Sequence, residues 1–213
     1  MSGLFVVFEG GDGVGKSTQV GRLVDWLVAE GYAVVRTFEP GDSAAGQQIR
    51  HLLLDPATGD LAPRAEALLY AADKAHHVQT VIRPALARGA VVVCDRYVDS
   101  MLAYQGAGRV LVHDEVERIA RWATEELRPD LTVLLDVEPH RAVGEKVELD
   151  RLEAAGADFH LNARASFLAL AARDPGGYLV LDARDDRDVI AAAVRDRLRP
   201  VLPDLPAPPP ERT

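Results

Sequence analysis

The chain carries a single cysteine, Cys94, among 213 residues. No intramolecular disulfide can form, an economy that suits a reducing cytoplasm. Basic residues are also short: 24 Lys and Arg stand against 33 Asp and Glu, for a formal net charge of −9. Such a balance argues against duplex nucleic acid as a partner, and any anion site has to be a local concentration of donors. Long apolar runs are missing: none reaches the ~18–20 residues a spanning helix needs. Met1-Ser2-Gly3-Leu4-Phe5 lacks the basic start of a signal peptide. The histidines show no metal-ligand spacing. His51, His113, His140 and His160 are scattered, and the adjacent His76 and His77 would point about 100° apart on a helix. That pair is expected at a helix surface, and Cys94 in the core. No internal repeat and no domain-scale linker interrupts the chain.

What is present is an alternation of short apolar runs and amphipathic stretches. Leu4 to Phe8, Tyr32 to Thr37, Ala90 to Cys94, Leu131 to Val137 and Tyr178 to Asp182 read as strands. Between and after them, Ser17 to Glu30, Ala44 to Leu54, Pro63 to Ala87, Val98 to Tyr104, Asp114 to Glu126, Phe159 to Arg173 and Asp185 to Leu198 read as helices. In the first helix Val20, Leu23, Val24, Leu27 and Val28 share a face, and Gly31 ends it. In the long third stretch Leu68, Leu69 and Ala72 are expected inward, with a kink at Pro84. The pattern predicts an α/β domain, a parallel sheet covered by helices on both faces, over residues 1–199. Two segments fall outside it. Gly144 to Asp158 is polar and aperiodic, as a flap would be, and Pro200 to Thr213, with six prolines, reads as an extended or disordered tail.

The first chemical signal is Gly10-Gly11-Asp12-Gly13-Val14-Gly15-Lys16-Ser17, a G-x-x-x-x-G-K-[ST] match between a buried strand and an amphipathic helix. Glycines let backbone N–H groups turn inward around phosphate oxygens, and the helix N-terminus adds partial positive charge. In this pattern Lys16 holds β- and γ-phosphates and Ser17 ligates Mg²⁺. Gly10 through Thr18 is therefore the expected ATP site. The second signal is Asp95-Arg96 at the end of the strand Ala90 to Cys94, with Ser100, Tyr104 and Gln105 following. An acid there is placed to hold Mg²⁺ or its water shell, and the arginine puts a bidentate phosphate donor in the same crevice.

Phe8 through Gln19, with Asp95-Arg96-Tyr97 and Ala103-Tyr104-Gln105-Gly106, resembles bacterial thymidylate kinase. Glu39-Pro40-Gly41 resembles that family's E-P-G turn, Ala71 through Val78 its acceptor-site helix, and Asp150-Arg151-Leu152-Glu153 its lid. The resemblance covers all but the proline-rich tail. It implies a three-layer P-loop kinase fold with a lid near 144–158, and transfer of the ATP γ-phosphate to dTMP with Mg²⁺. It also implies a cytoplasmic homodimer. By the same resemblance Arg96 binds the acceptor 5′-phosphate, Tyr70 stacks on thymine, and Tyr104 packs under the deoxyribose and excludes a 2′-hydroxyl. Ser100 and Gln105 lie near the base. Asp12 sits between the donor and acceptor phosphates, and Ser17 with Asp95 serves the metal. Phe38, Glu39, Pro40, Lys74 and Met101 complete the substrate site.

Some positions depart from the family pattern. Lys74 replaces an arginine and loses the planar fork, Phe38 replaces the arginine before Glu-Pro-Gly, and Met101 replaces a small polar residue. Position 13 is glycine where one branch of the family has arginine, which implies a transition-state cation from the lid. Arg151 is the leading candidate, ahead of Lys146 and Arg141. The departures leave open a kinase for another deoxynucleotide or a deoxynucleoside. A P-loop switch protein is the alternative of another class, but no guanine-reading N-K-x-D segment is present.

Overall fold

In the computed structural model, residues 3–107, 111–138 and 156–203 are described. The elements run β1 (Leu4–Gly10), α1 (Lys16–Ala29), β2 (Val34–Phe38), α2 (Ala44–Leu54), α3 (Pro63–His77), α4 (Arg83–Ala87) and β3 (Val91–Asp95). They continue as α5 (Val98–Met101), α6 (His113–Ala123), β4 (Leu131–Asp136), α7 (Ala157–Arg173), β5 (Tyr178–Asp182) and α8 (Arg187–Leu198). The five strands form one parallel sheet in the order β2-β3-β1-β4-β5.

Alternation along the central strands sorts side chains between two layers. Leu4, Val6 and Phe8 of β1 join Val91, Val93, Leu131 and Val133 under Leu23 and Leu27 of α1 and Ile190 and Val194 of α8. Phe5, Val7, Val92 and Cys94 face Val78, Ile82, Ala85 and Tyr97 on the other side. That layer is extended by Tyr70, Met101, Tyr104, Phe159 and Phe167 around Leu134. The expected three-layer architecture is therefore present, and Cys94 is an inert core thiol whose pKa burial pushes up.

Local signals explain several boundaries. α1 stops because Gly31 takes a φ of +92°, and the N–H groups of Gly31 and Tyr32 return to the carbonyls of Val28 and Leu27. α2 begins where Ser43 Oγ accepts the N–H of Gly46 at 2.9 Å. It ends at extended Asp55, as the residue before Pro56 must be.

Other expectations are corrected. Val28 is exposed, so the buried stripe of α1 is Val20, Leu23 and Leu27. On α3, Leu68 and Ala72 face outward, and the buried side holds Glu66, Ala67, Tyr70, Ala71, Asp73, Lys74 and His77. This helix lines a polar site, so its inner face is largely polar and the apolar-inward rule misassigns it. His77 is accordingly buried, whereas His76 is exposed as expected. The irregularity attributed to Pro84 lies before it. Val78–Ile82 winds as a π-turn, with the Arg83 N–H reaching back to the carbonyl of Val78. The wider turn accommodates the missing Pro84 donor. A second π-turn, Leu102–Ala107, follows α5, and left-handed Glu125 and Glu126 shorten the expected helix after α6.

At the C-terminal end Arg199–Val201 forms a short 3₁₀ turn and Leu202 packs on the core, so order extends past residue 199. Residues 204–213 lie outside the described residues, as do 139–155 and with them most of the expected lid. Its last two residues, Ala157 and Asp158, belong to α7.

One tie between α5 and the sheet titrates. The Tyr178 hydroxyl donates to Asp99 Oδ2 at 2.5 Å. Burial, reinforced by the Glu9 carboxylate, pushes Asp99 up from 3.8 to about 7. Between those values the folded chain keeps a proton that the unfolded chain has released. Stability from this group therefore falls as pH rises from about 4 to about 7 and is level above. Asp99→Asn removes that slope. Melting curves from pH 5 to 8 should show the variant gaining several degrees on the parent as pH rises, at ~2–4 °C per kcal/mol for this size. A constant Tm difference across that range would reject the assignment.

Candidate active site

The phosphate loop leaves the central strand at Gly10. Its backbone turns at a φ of +134°, and a Cβ there would lie 2.3 Å from the carbonyl oxygen of Leu135. Only glycine fits so close to β4. Gly13 and Gly15 also take positive φ, and the chain enters α1 at Lys16. The lysine arches over the loop, with Nζ 3.1 Å from the Gly10 carbonyl and 2.5 Å from that of Gly11. Burial, with Arg96 adding, pushes its pKa down to about 8, against the pull of Asp12 and Asp95. A phosphate at this position would restore the charge.

Parallel register brings Phe8 beside Asp95, and Phe38 pairs with Asp95 from the other side. The C-terminal ends of β1, β3 and β2 therefore open into one crevice, where ligands of open parallel sheets bind. Ser17 Oγ donates to Asp95 Oδ2 at 2.7 Å. The next residue, Arg96, has a φ of +69°, which re-aims its side chain back over the phosphate loop. Its Nη1 donates to Gly10 O and Ser100 Oγ, both at 2.9 Å, and Nη2 donates to Asp12 Oδ1 at 2.5 Å. Burial pushes Asp12 up, but the charges of Arg96 and Lys16 outweigh it and hold the carboxyl below its ordinary range. Tyr104 closes this corner, its ring 5.4 Å from the guanidinium carbon and its hydroxyl 3.4 Å from Asp12 Oδ2.

These groups line a cavity of about 540 Å³. Asp12, Gly13, Gly15, Lys16, Ser17 and Thr18 form one end. Phe38, Glu39, Pro40, Tyr70, Lys74, Met101 and Gln105 form the other, with Asp95, Arg96, Ser100 and Tyr104 between them. Gly10, Gly11 and Val14 support the loop without lining the cavity. Arg151, Lys146 and Arg141 lie outside the described residues.

Two more of these side chains already have protein partners. The Ser100 hydroxyl, in the cavity wall, donates to Glu9 and accepts from Arg96. Lys74 is buried, bonded to Glu39 Oε2 and, at 2.8 Å, to the Tyr97 carbonyl. Two ammonium donors thus serve the protein.

Sequence reasoning missed Arg50, which lines the cavity, bonds the Pro40 carbonyl at 2.7 Å and lies over Phe38. It also missed the buried Glu66, which holds the Gln105 amide at 3.1 Å, and Glu9. A charged residue closing an otherwise apolar strand was the available signal for Glu9.

Comparison with known proteins agrees with this geometry. The family model for thymidylate kinase matches residues 8–194. A thymidylate kinase of Cutibacterium acnes is 57% identical over 95% of this chain and 99% of its own. One of Clavibacter sepedonicus is 56% identical over 92% and 95%. The crystal structure of thymidylate kinase from Ehrlichia chaffeensis superimposes with a TM-score of 0.79 at 27% identity, over 93% of this chain and all of that one. Near-complete coverage in both directions, and a match spanning phosphate loop, Asp95-Arg96 and acceptor-side helix together, lead to one conclusion: the chain belongs to the thymidylate kinase family.

Proposed function

We infer that this chain transfers the γ-phosphate of ATP to dTMP, giving ADP and dTDP. The observation that carries the reading is Arg96. It stands between a P-loop and an aromatic-lined chamber, already braced by Asp12 and Ser100. ATP phosphates occupy the loop end, beside Lys16. The monophosphate enters the other end, with its 5′-phosphate at Arg96, its sugar against Tyr104 and its base near Tyr70, Met101 and Gln105. The family resemblance implies that Tyr104, placed here beside Asp12 and Arg96, excludes a 2′-hydroxyl. Lys74 and Phe38 complete the base end. A phosphate acceptor is nucleophilic enough at neutral pH, so positioning and charge neutralisation carry the rate. Asp12, held ionised beside Arg96, orders the space where the two phosphates meet.

Ser17 and Asp95 suit Mg²⁺. They pair a hydroxyl with a carboxylate, a hard-oxygen donor set beside the phosphate loop. Among the described residues no cluster of three or more His, Cys, Asp or Glu forms a metal cage. An ion held mainly by nucleotide phosphates needs none. When bound it neutralises charge on the β- and γ-oxygens. We place the protein in the cytoplasm, where its nucleotides are and where the reduced Cys94 thiol is at home.

A coupled ADP-release assay across dTMP, dUMP, dCMP and UMP tests the substrate. The highest kcat/KM should fall on dTMP and the lowest on UMP; preference for a ribonucleotide would overturn the reading of Tyr104. Two variants then separate binding from chemistry. Arg96→Ala should raise the dTMP KM at least ~30-fold, as loss of a charge-assisted contact worth ~2–5 kcal/mol requires, with ATP affinity little changed. Arg151→Ala should lower kcat by ~10²–10³, the usual loss for a preorganised transition-state donor, with dTMP affinity preserved. Equal weakening of both nucleotides would remove Arg96 from the acceptor site, and an unchanged kcat would send the search for the cation to Lys146.

The outer faces of α3 and α6 expose Leu68 and, at 81% exposure, Trp122. We assign them to a homodimer contact. Light scattering should give twice the chain mass, and Trp122→Asp should give the monomer. A monomeric parent would dismiss the contact.

A further inference from the structure

Glu9 precedes the phosphate loop and is fully buried, yet it does not line the cavity. Burial pushes its pKa up, opposed by the charge of Arg96 and the hydroxyl of Ser100. A buried carboxylate persists only where donors converge on it, and three do. Oε1 accepts the backbone N–H groups of Tyr97 at 2.7 Å and Ser100 at 3.2 Å, and Oε2 accepts the Ser100 hydroxyl at 2.6 Å. A serine hydroxyl has one proton. Once that proton is given to Glu9, only lone pairs remain to face Arg96 Nη1, 2.9 Å away.

The consequence is set by counting donors on Arg96. A guanidinium has five N–H groups. Both on Nη1 are taken, by Gly10 O and Ser100 Oγ, and one on Nη2 is taken by Asp12. The Tyr104 hydroxyl also bonds the guanidinium, so backbone, serine, carboxylate and phenol together fix its orientation. Held this way, the guanidinium lines the cavity as a planar donor suited to the oxygens of a phosphate.

We propose that Glu9 is a positioning residue for the acceptor phosphate: by holding the Ser100 proton it makes that hydroxyl an acceptor for Arg96 and fixes the orientation in which the guanidinium faces the cavity. The proposal rests on the assignment of Arg96 to the acceptor phosphate. Glu9 also holds the N–H groups of Tyr97 and Ser100, which follow the left-handed Arg96 backbone. It therefore steadies both ends of the arginine, main chain and fork.

The isosteric change Glu9→Gln separates the two actions. With its carbonyl toward the two backbone N–H groups, the glutamine directs its NH₂ at Ser100. The serine proton must then turn toward Arg96, donor against donor. The dTMP KM should rise about 10-fold, as for loss of a hydrogen bond to a charged group, while the ATP KM stays within about twofold. Ser100→Ala should raise the dTMP KM similarly. The double variant Glu9→Gln/Ser100→Ala should be no worse than Glu9→Gln alone, because the two act through one bond. Ser100→Thr, which keeps the hydroxyl, should retain the parental KM.

Should Glu9→Gln fail to fold, Ser100→Ala and Ser100→Thr carry the test, since both leave the backbone bonds to Glu9 in place. Parental dTMP KM in Glu9→Gln and Ser100→Ala overturns the proposal, and so does an equal rise in the KM of both nucleotides, which would mean general damage. If Arg96→Ala raises the dTMP KM and these variants do not, the proposal alone fails. If Arg96→Ala leaves it unchanged, the assignment of Arg96 fails first.

Discussion

The site depends on where Arg96 is held. It is the first residue past β3, its N–H bonded to the Phe8 carbonyl at 2.9 Å, and its positive φ returns the side chain across β1 instead of letting it follow the strand. A non-glycine residue in that region costs roughly 1–3 kcal/mol. The cost is sustained because four neighbours fix the residue: Gly10 and Phe8 from β1, Asp12 from the loop and Ser100 from α5. The parallel β1–β3 register that buries the core thus also sets Arg96 beside the phosphate loop. A slip of one residue would turn every side chain of β3 to the opposite layer and carry Arg96 away from Gly10.

A second buried network holds the other wall. The turn after β2, which includes a cis Glu39–Pro40 peptide, is gripped by one face of α3. Asp73 Oδ1 accepts the Gly41 N–H at 3.1 Å, Lys74 bonds Glu39, and His77 spans Thr37 and Glu39 through its two ring nitrogens. Burial pushes Glu39 up, but Lys74 and His77 outweigh it and hold the carboxyl below its usual range. Gly46 of α2 packs so close that a Cβ would lie 2.5 Å from Asp73 Oδ1. Phe38 and Arg50, beside this network, line the cavity away from the phosphate loop. Removing one partner of such a network leaves an uncompensated charge in the core, which is why its members act as a unit.

These two networks also mark how far the sequence could be read. The phosphate loop, the Asp95-Arg96 step and the order of strands and helices were legible because each is local: a motif, a strand end, a periodicity. Ala44–Leu54 and Tyr178–Asp182 fell where expected for the same reason. The inner face of α3 was not legible, because apolar periodicity assumes that the buried side is greasy. Here Glu66, Asp73, Lys74 and His77 are the buried side and Leu68 is out. The roles of Glu9 and Ser100 were hidden differently. Their meeting joins residues 91 apart in sequence, and nothing near either one announces it. The resemblance to thymidylate kinase implied a place for Ser100 near the base; the bonds of its hydroxyl to Glu9 and Arg96 had no signal of their own.

The acidity of the chain is resolved at the same place. A protein of net charge −9 has to bind two polyanions. The cations that line its cavity have their protein partners already fixed. Lys16 rests on two backbone carbonyls, which carry no full charge to be displaced. Burial, with Arg96 adding, lowers its pKa to about 8, and an approaching anion would raise it again. Arg96 meets one carboxylate and otherwise neutral acceptors, while burial is outweighed by surrounding negative groups that keep it charged throughout. Lys74, by contrast, is paired with Glu39 in the core and brings little net charge to its end of the cavity. Positive charge is thereby concentrated at the phosphate-loop end of the cavity and cancelled at the Lys74 end. The sign of the whole surface matters less to binding than this local partition, because screening limits distant charges to about a Debye length.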